Sequence, residues 1–84
     1  MIRIITRIEE DGTIVTIEGQ IADSDLGEIQ RVRESVKGAV FLNLRGVKSC
    51  AEGGTRVLRE WLEAGAKLQA ATPYLGMILN SPQT

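Results

Sequence analysis

The chain contains no histidine and only one cysteine, Cys50, among its 84 residues. The ordinary Cys and His metal sites need several such ligands, so the sequence predicts no metal and no cofactor. One cysteine also excludes an intramolecular disulfide, which fits a reducing cytoplasm. A catalytic thiol at Cys50 would need a neighbouring base, usually histidine. The protein is therefore not expected to be an enzyme.

The chain has few aromatic residues and no large excess of positive or negative charge. Phe41, Trp61 and Tyr74 are the only aromatic residues and lie apart in the sequence, which argues against a stacking platform for single-stranded nucleic acid. The formal net charge is -1, and the 10 basic residues are scattered instead of forming the basic stripe that a phosphate backbone attracts. No nucleic-acid partner is expected.

The chain also lacks a long hydrophobic run. The first isoleucines are interrupted by Arg3, Arg7 and Glu9, which is typical of neither a signal peptide nor a membrane-spanning helix. With 43% hydrophobic and 25% charged residues, the composition is that of one small globular domain. We expect a single cytoplasmic domain at residues 1–80, a polar tail at residues 81–84 and no insertion into the membrane.

Strand and helix patterns alternate along the chain. Residues 1–8 and 13–17 are rich in Ile, Val and Thr and flank the turn sequence EEDG, which predicts a hairpin. The apolar run at 39–44 predicts a strand covered on both faces, and 67–71 a short last strand. Apolar residues at helical spacing predict three helices: one after the hairpin, one after the third strand and one after Pro73.

The element order β-β-α-β-α-β-α predicts an α/β fold with one four-stranded, mostly parallel sheet and helices in the connections. The parallel strands are expected at 15–19, 39–44 and 67–71. The residues expected to be buried are Leu26, Ile29, Phe41, Leu42, Leu44, Val57 and Leu58, with Trp61 in the core or at its edge.

The start of the second helix is left open by the sequence. Ser49 and Glu52 have the spacing of a capping box, which places the start near Cys50. Gly53 and Gly54 favour a start at Thr55 instead, because each glycine in the first turn costs about 1 kcal/mol relative to alanine.

Three segments, in this order and spacing, resemble the STAS domain of bacterial anti-sigma factor antagonists and of the cytoplasmic tails of sulfate transporters. They are VTIEGQI, FLNLRGV and LREWLEAGAKLQAATPY. The first is similar to the family's strand ending in Gly-x-Ile/Leu, the second to its buried strand followed by a polar turn and Val, and the third to its helix followed by Gly-Ala and a strand. The resemblance implies a non-enzymatic interaction module in the regulation of transcription.

The segment at the start of the second helix departs from the family's pattern. Members that act as switches carry Asp-Ser-Ser-Gly there, and a kinase modifies the second serine. This chain has Ala51, Glu52, Gly53 and Gly54, so a glycine stands at the phosphoacceptor position. The family's Asp after Gly-x-Ile/Leu falls on Ala22. The resemblance thus implies a degenerate phosphorylation loop, with Glu52 as either a phosphate mimic or a helix cap.

The resemblance places the partner contacts in a loop from Lys48 to Gly54 and in the first turns of the second helix. The residues predicted to contact the partner are Lys48, Ser49, Glu52, Gly53, Gly54, Thr55, Arg56 and Arg59. The expected partner is a kinase-like anti-sigma factor or a component of a multiprotein regulatory or lipid-transport assembly. The alternative function is binding of a small anion or nucleotide at Gly53 and Gly54. Ser49 and Thr55 remain as possible phosphate acceptors.

Overall fold

The computed structural model describes residues 1–80, which form a small α/β domain with a four-stranded mixed sheet and three helices. The predicted tail at 81–84 lies outside the described residues. The elements are β1 (Ile2–Glu9), β2 (Gly12–Ile21), a 3-10 turn (Asp23–Asp25), α1 (Leu26–Ser35), β3 (Val40–Cys50), α2 (Glu52–Glu63), β4 (Lys67–Ala71) and α3 (Pro73–Asn80).

The sheet has the strand order β1-β2-β3-β4. β1 is antiparallel to β2, whereas β2, β3 and β4 are parallel to one another. The predicted hairpin and the three predicted parallel strands are therefore confirmed. Each parallel pair is joined through a helix, α1 between β2 and β3 and α2 between β3 and β4, as such connections require.

The helices cover one face of the sheet only. Burial alternates with period two along β2 and β3, so that Val15 and Leu42 are fully buried while Ile14 and Phe41 are only half-buried. Such alternation is the pattern of a sheet with one packed face and one open face. The buried side chains join those of all three helices in one core, which includes Ile29, Val57, Leu58, Trp61, Leu75 and Leu79.

The predicted core is confirmed at five positions and wrong at two. Ile29, Leu42, Leu44, Val57 and Leu58 are buried. Phe41 is half-buried because its side chain lies on the open face of the sheet, so β3 is not covered on both faces as the sequence predicted. Leu26 is half-buried because it begins α1, at the margin of the core.

The predicted loop from Lys48 to Gly54 is wrong. Lys48 lies within β3, which runs on to Cys50, and Gly54 lies in the first turn of α2. Only Ala51 separates the two elements, and its N–H donates to the Ile21 carbonyl over 2.8 Å. β3 extends this far because two register shifts keep it alongside β2, as bulges do in a twisted sheet.

α2 begins at Glu52, ahead of both glycines. The start at Thr55 is therefore wrong. The capping box is not formed either, because Ser49 is a strand residue and the N-cap residue is Ala51, which provides no side-chain hydrogen bond. The helix ends at Glu63, and Gly65 lies just beyond it with a φ of 123°, a left-handed conformation that favours glycine.

Candidate functional site

A groove runs between the end of β3, the first half of α2 and α3; we call it the α2–α3 groove. It consists of two adjoining depressions of about 440 and 520 Å³ that share Cys50 and Tyr74. Tyr74 stands between them at the start of α3 and is 67% exposed. The groove is thus an open surface feature with an exposed aromatic ring at its centre.

Six of the eight residues predicted to contact a partner line this groove. They are Lys48, Ser49, Glu52, Thr55, Arg56 and Arg59. Gly53 and Gly54 do not line it. The sequence did not point to Arg45, Tyr74 and Ile78, which also line the groove. The sequence did offer one signal for Tyr74. A short helix that begins with Pro-Tyr places the tyrosine in its first turn.

The two glycines of α2 allow close packing. A Cβ atom on Gly54 would lie 2.7 Å from Ile21 Cγ2 and 2.8 Å from Cys50 Sγ, closer than real side chains approach. On Gly53 it would lie 3.1 Å from both Asp23 Oδ1 and Leu26 Cδ1. The first turn of α2 therefore rests directly on the end of β2 and the start of α1. Gly54 is buried, and its predicted contact with a partner stays a prediction.

This packing predicts opposite effects for two glycine-to-alanine changes. Gly54→Ala should lower the free energy of unfolding by about 1–2 kcal/mol, because overpacking outweighs the higher helix propensity of alanine. Gly27→Ala is the matched control in the first turn of α1, where nothing lies within 4 Å of the added Cβ, and it should stabilise by about 0.5–1 kcal/mol. Urea unfolding measures both; stabilisation by Gly54→Ala would contradict the packing.

Cys50 lies at the centre of the groove and its thiol is a weak nucleophile. Burial raises the pKa of the thiol, and the Thr55 hydroxyl, with Oγ1 at 3.6 Å from Sγ, offsets part of that increase. The same hydroxyl lies 3.4 Å from the Ala51 carbonyl. Since the thiolate is the reactive form, we expect Cys50 to react more slowly at neutral pH than an exposed cysteine.

Arg59 fixes one wall of the groove. Its Nη2 donates a hydrogen bond of 2.7 Å to the Ile78 carbonyl and so ties the middle of α2 to the last turn of α3. Its Nε is buried and has no hydrogen-bond partner among the described residues. Leu75 and Leu79 hold the same helix to the core. Arg59 thus positions α3, and with it Tyr74, more than it displays charge.

The groove carries an excess of positive charge. Arg45, Lys48 and Arg56 are exposed, and within residues 1–80 the ion pairs join only the N-terminus to Asp25 and Arg7 to Glu9. With Arg59, four cationic side chains line the groove against one carboxylate, Glu52. A negatively charged surface is therefore the complementary one.

Glu52 places its exposed carboxylate at the start of α2. A negative charge there interacts favourably with the helix dipole, an effect of about 0.3–1 kcal/mol. Asp23 adds a second carboxylate on the other side of Gly53. An anion at the glycines would therefore meet both carboxylates.

In comparisons with known proteins, the chain matches no protein-family model and no curated protein. Within the described part of the chain, no three His, Cys, Asp or Glu side chains are grouped as a metal ion would need. In the same residues, no helix is long and apolar enough to cross a membrane. The structure thus shows a small α/β domain with a groove lined by four cationic side chains.

Proposed function

We propose that this chain is a STAS-like, non-enzymatic interaction module of a bacterial regulatory system, located in the cytoplasm, that binds another protein through the α2–α3 groove. The observation that carries the proposal is the groove itself, where residues predicted from the STAS resemblance lie beside an exposed tyrosine. The order of strands and helices is compatible with the resemblance. Binding of this kind needs shape, an aromatic contact and complementary charge, but no reactive atom.

The charge of the groove indicates the chemistry of the partner. Arg45, Lys48 and Arg56 are exposed and form no ion pair with residues 1–80, so they favour a partner with an acidic surface. Tyr74 supplies the kind of amphipathic side chain that dominates the energy of many interfaces. A kinase-like anti-sigma factor, or a component of a multiprotein regulatory or lipid-transport assembly, is the proposed partner.

The proposal includes a switch that is fixed in one state. Gly53 has no hydroxyl to accept phosphate, and Glu52 holds one permanent negative charge a residue earlier. Either the carboxylate acts on the partner as a partial phosphate mimic, or it serves only the helix dipole. Its position, exposed and without a capping hydrogen bond, supports both roles. Ser49 is exposed and is the more accessible of the two remaining hydroxyls; Thr55 is half-buried.

The second candidate function is binding of a small anion or nucleotide. The cations of the groove favour it, whereas Asp23 and Glu52 oppose it at Gly53 and Gly54. An anion would therefore bind beside Lys48 and Arg56. A thermal shift with nucleotides separates the two functions, since a ligand of the folded state raises the midpoint and a protein-docking module should not respond.

The proposal is tested by capture from a lysate of the source organism with two charge-reversed variants. Lys48→Glu/Arg56→Glu reverses two groove cations, and Arg31→Glu/Lys37→Glu makes the same change in net charge at exposed positions of α1 and just after it. We expect wild type and the α1 control to retain the same protein, and the groove variant to lose most of it. All three chains should unfold at similar temperatures.

Equal retention by both variants contradicts the docking site. Loss of retention by both variants would show that only net charge matters, which also contradicts it. A protein that binds in low salt and dissociates as the salt concentration rises fits the proposed charge complementarity.

A further inference from the structure

The outer edge of β1 is a long strand edge that pairs with nothing in the described chain. β1 pairs with β2 from Ile2 to Glu9 without a register shift, and its other side ends the sheet. Its outward backbone N–H and C=O groups therefore lack strand partners. A long, regular free edge is a template for pairing with another strand.

The edge also carries apolar side chains that the monomer leaves in water. Ile8 is 86% exposed, although it lies on the helix-covered face with Ile2 and Ile4, and Ile5 on the open face is 42% exposed. The opposite edge, β4, has only five residues and is followed closely by Pro73. Short length and nearby proline protect an edge, and β1 has neither.

Pairing of β1 with β1 of a second copy is restricted by symmetry. A two-fold axis perpendicular to the sheet makes the strands antiparallel and keeps the helices of both copies on the same side. Opposed residues in an antiparallel pair point to the same face. An even-numbered residue of one copy must therefore oppose an even-numbered residue of the other. The two-fold axis must then pass midway between one residue and the same residue of the second copy.

Two such registers pair seven residues of each strand, and charge distinguishes them. With the axis at Thr6, Arg3 opposes Glu9 of the second copy, twice by symmetry. Ile4 opposes Ile8 of the second copy, which covers the most exposed isoleucine. With the axis at Ile5, Arg3 would oppose Arg7 twice, and like charges directly opposed destabilise a sheet.

We propose that two copies of this chain associate through antiparallel pairing of their β1 strands about Thr6, which joins the two sheets into one of eight strands. The Arg3–Glu9 pairs determine the register of the dimer. They contribute little to its strength, because exposed ion pairs add little energy by themselves. Backbone hydrogen bonds and the Ile4–Ile8 contacts provide the attraction. An interface made by one strand from each copy is small, so we expect a weak, concentration-dependent dimer.

The proposed dimer does not depend on the proposed function, but dimerisation would affect how the groove binds. The α2–α3 groove is built from β3, α2 and α3, and α3 contacts β4, whereas the dimer uses β1 at the opposite edge. Both grooves therefore stay free in the dimer. A dimer would bind two sites on one assembly with an affinity raised by the effective concentration of the second groove.

The first test is a charge exchange followed by sedimentation equilibrium up to about 1 mM protein, where weak interfaces are populated. The wild type should approach twice the 9.2 kDa chain mass. Glu9→Arg and Arg3→Glu should each weaken the dimer about tenfold, since each creates two like-charged pairs. The double variant Arg3→Glu/Glu9→Arg should restore it. Circular dichroism checks that every variant is folded.

Three outcomes overturn the proposal. A wild type that stays monomeric over the whole range contradicts the dimer itself. A dimer that Arg3→Glu strengthens would have the Ile5 register, and a dimer indifferent to both single changes would use another surface.

The second test is a disulfide at the axis, which needs no comparison of affinities. In a Cys50→Ser background, Thr6→Cys places two thiols directly opposite, with Cα atoms about 4.5–5.5 Å apart in an antiparallel pair, within the range of a disulfide. Mild oxidation should convert this variant to covalent dimer. Ile5→Cys is the matched control and should convert at least tenfold more slowly, because its nearest copy lies diagonally, about 7–8 Å away. Equal rates contradict the register.

Discussion

Trp61→Ala should destabilise the protein by about 3–5 kcal/mol, the usual cost of removing a buried tryptophan. Trp61 is 4% exposed and lies in the core between α2 and the sheet. A domain of this length has a free energy of unfolding on the order of 5–10 kcal/mol, so the variant should be close to unfolded at room temperature. Phe41→Ala should cost only about 1–2 kcal/mol, because that side chain is only partly buried on the open face of the sheet.

The pair of variants tests whether the sheet has one covered face. Urea unfolding of the two variants and of wild type gives the midpoints and slopes. A clear difference between Trp61→Ala and Phe41→Ala supports the two-layer arrangement. Equal losses would mean that the face carrying Phe41 is packed as tightly as the helix side, which contradicts it.

The helices and the hairpin were predictable because their signals are local. Val57, Leu58 and Trp61 repeat at helical spacing, and the Ile- and Val-rich segments flank a turn sequence. The two-layer arrangement was not recognised because Phe41 is apolar although it lies on the open face. Together with Leu42 it makes the third strand look uniformly apolar, and only Asn43 marks the alternation that the structure has.

The extension of β3 could not be predicted from the sequence. The segment Arg45–Cys50 has no strict alternation, because the register shifts against β2 interrupt the period of two. Bulges of this kind depend on the partner strand and leave no signal in the strand itself. Gly53 and Gly54 were likewise placed in the predicted loop, because their packing against Ile21 and Asp23 depends on contacts distant in sequence.

The candidate site was predictable in one half only. The residues contributed by the end of β3 and the start of α2 are close together in the sequence, and the STAS resemblance pointed to them. Tyr74 and Ile78 belong to α3, which the fold brings back against α2 through Arg59. No local pattern announces that contact, so the aromatic centre of the groove emerged only from the structure.

The rate at which Cys50 is alkylated should reveal its environment in the groove. Because burial raises the pKa of this thiol, the thiolate fraction at pH 7 is lower than in the unfolded chain. The rate should rise about tenfold per pH unit and level off at a higher pH in the folded chain than in urea. A folded chain that levels off at lower pH contradicts the burial of Cys50 and would indicate an activated thiol.

The most direct test of the docking site is alkylation of Cys50 with and without the captured partner at saturating concentration. Cys50 is the only cysteine of the chain, so the mass of the labelled chain reports on the groove alone. We predict that bound partner slows labelling at least tenfold, because the centre of an interface excludes solvent, and leaves Lys48→Glu/Arg56→Glu unprotected. Labelling of the wild-type complex at the rate of the free chain would contradict binding at the α2–α3 groove.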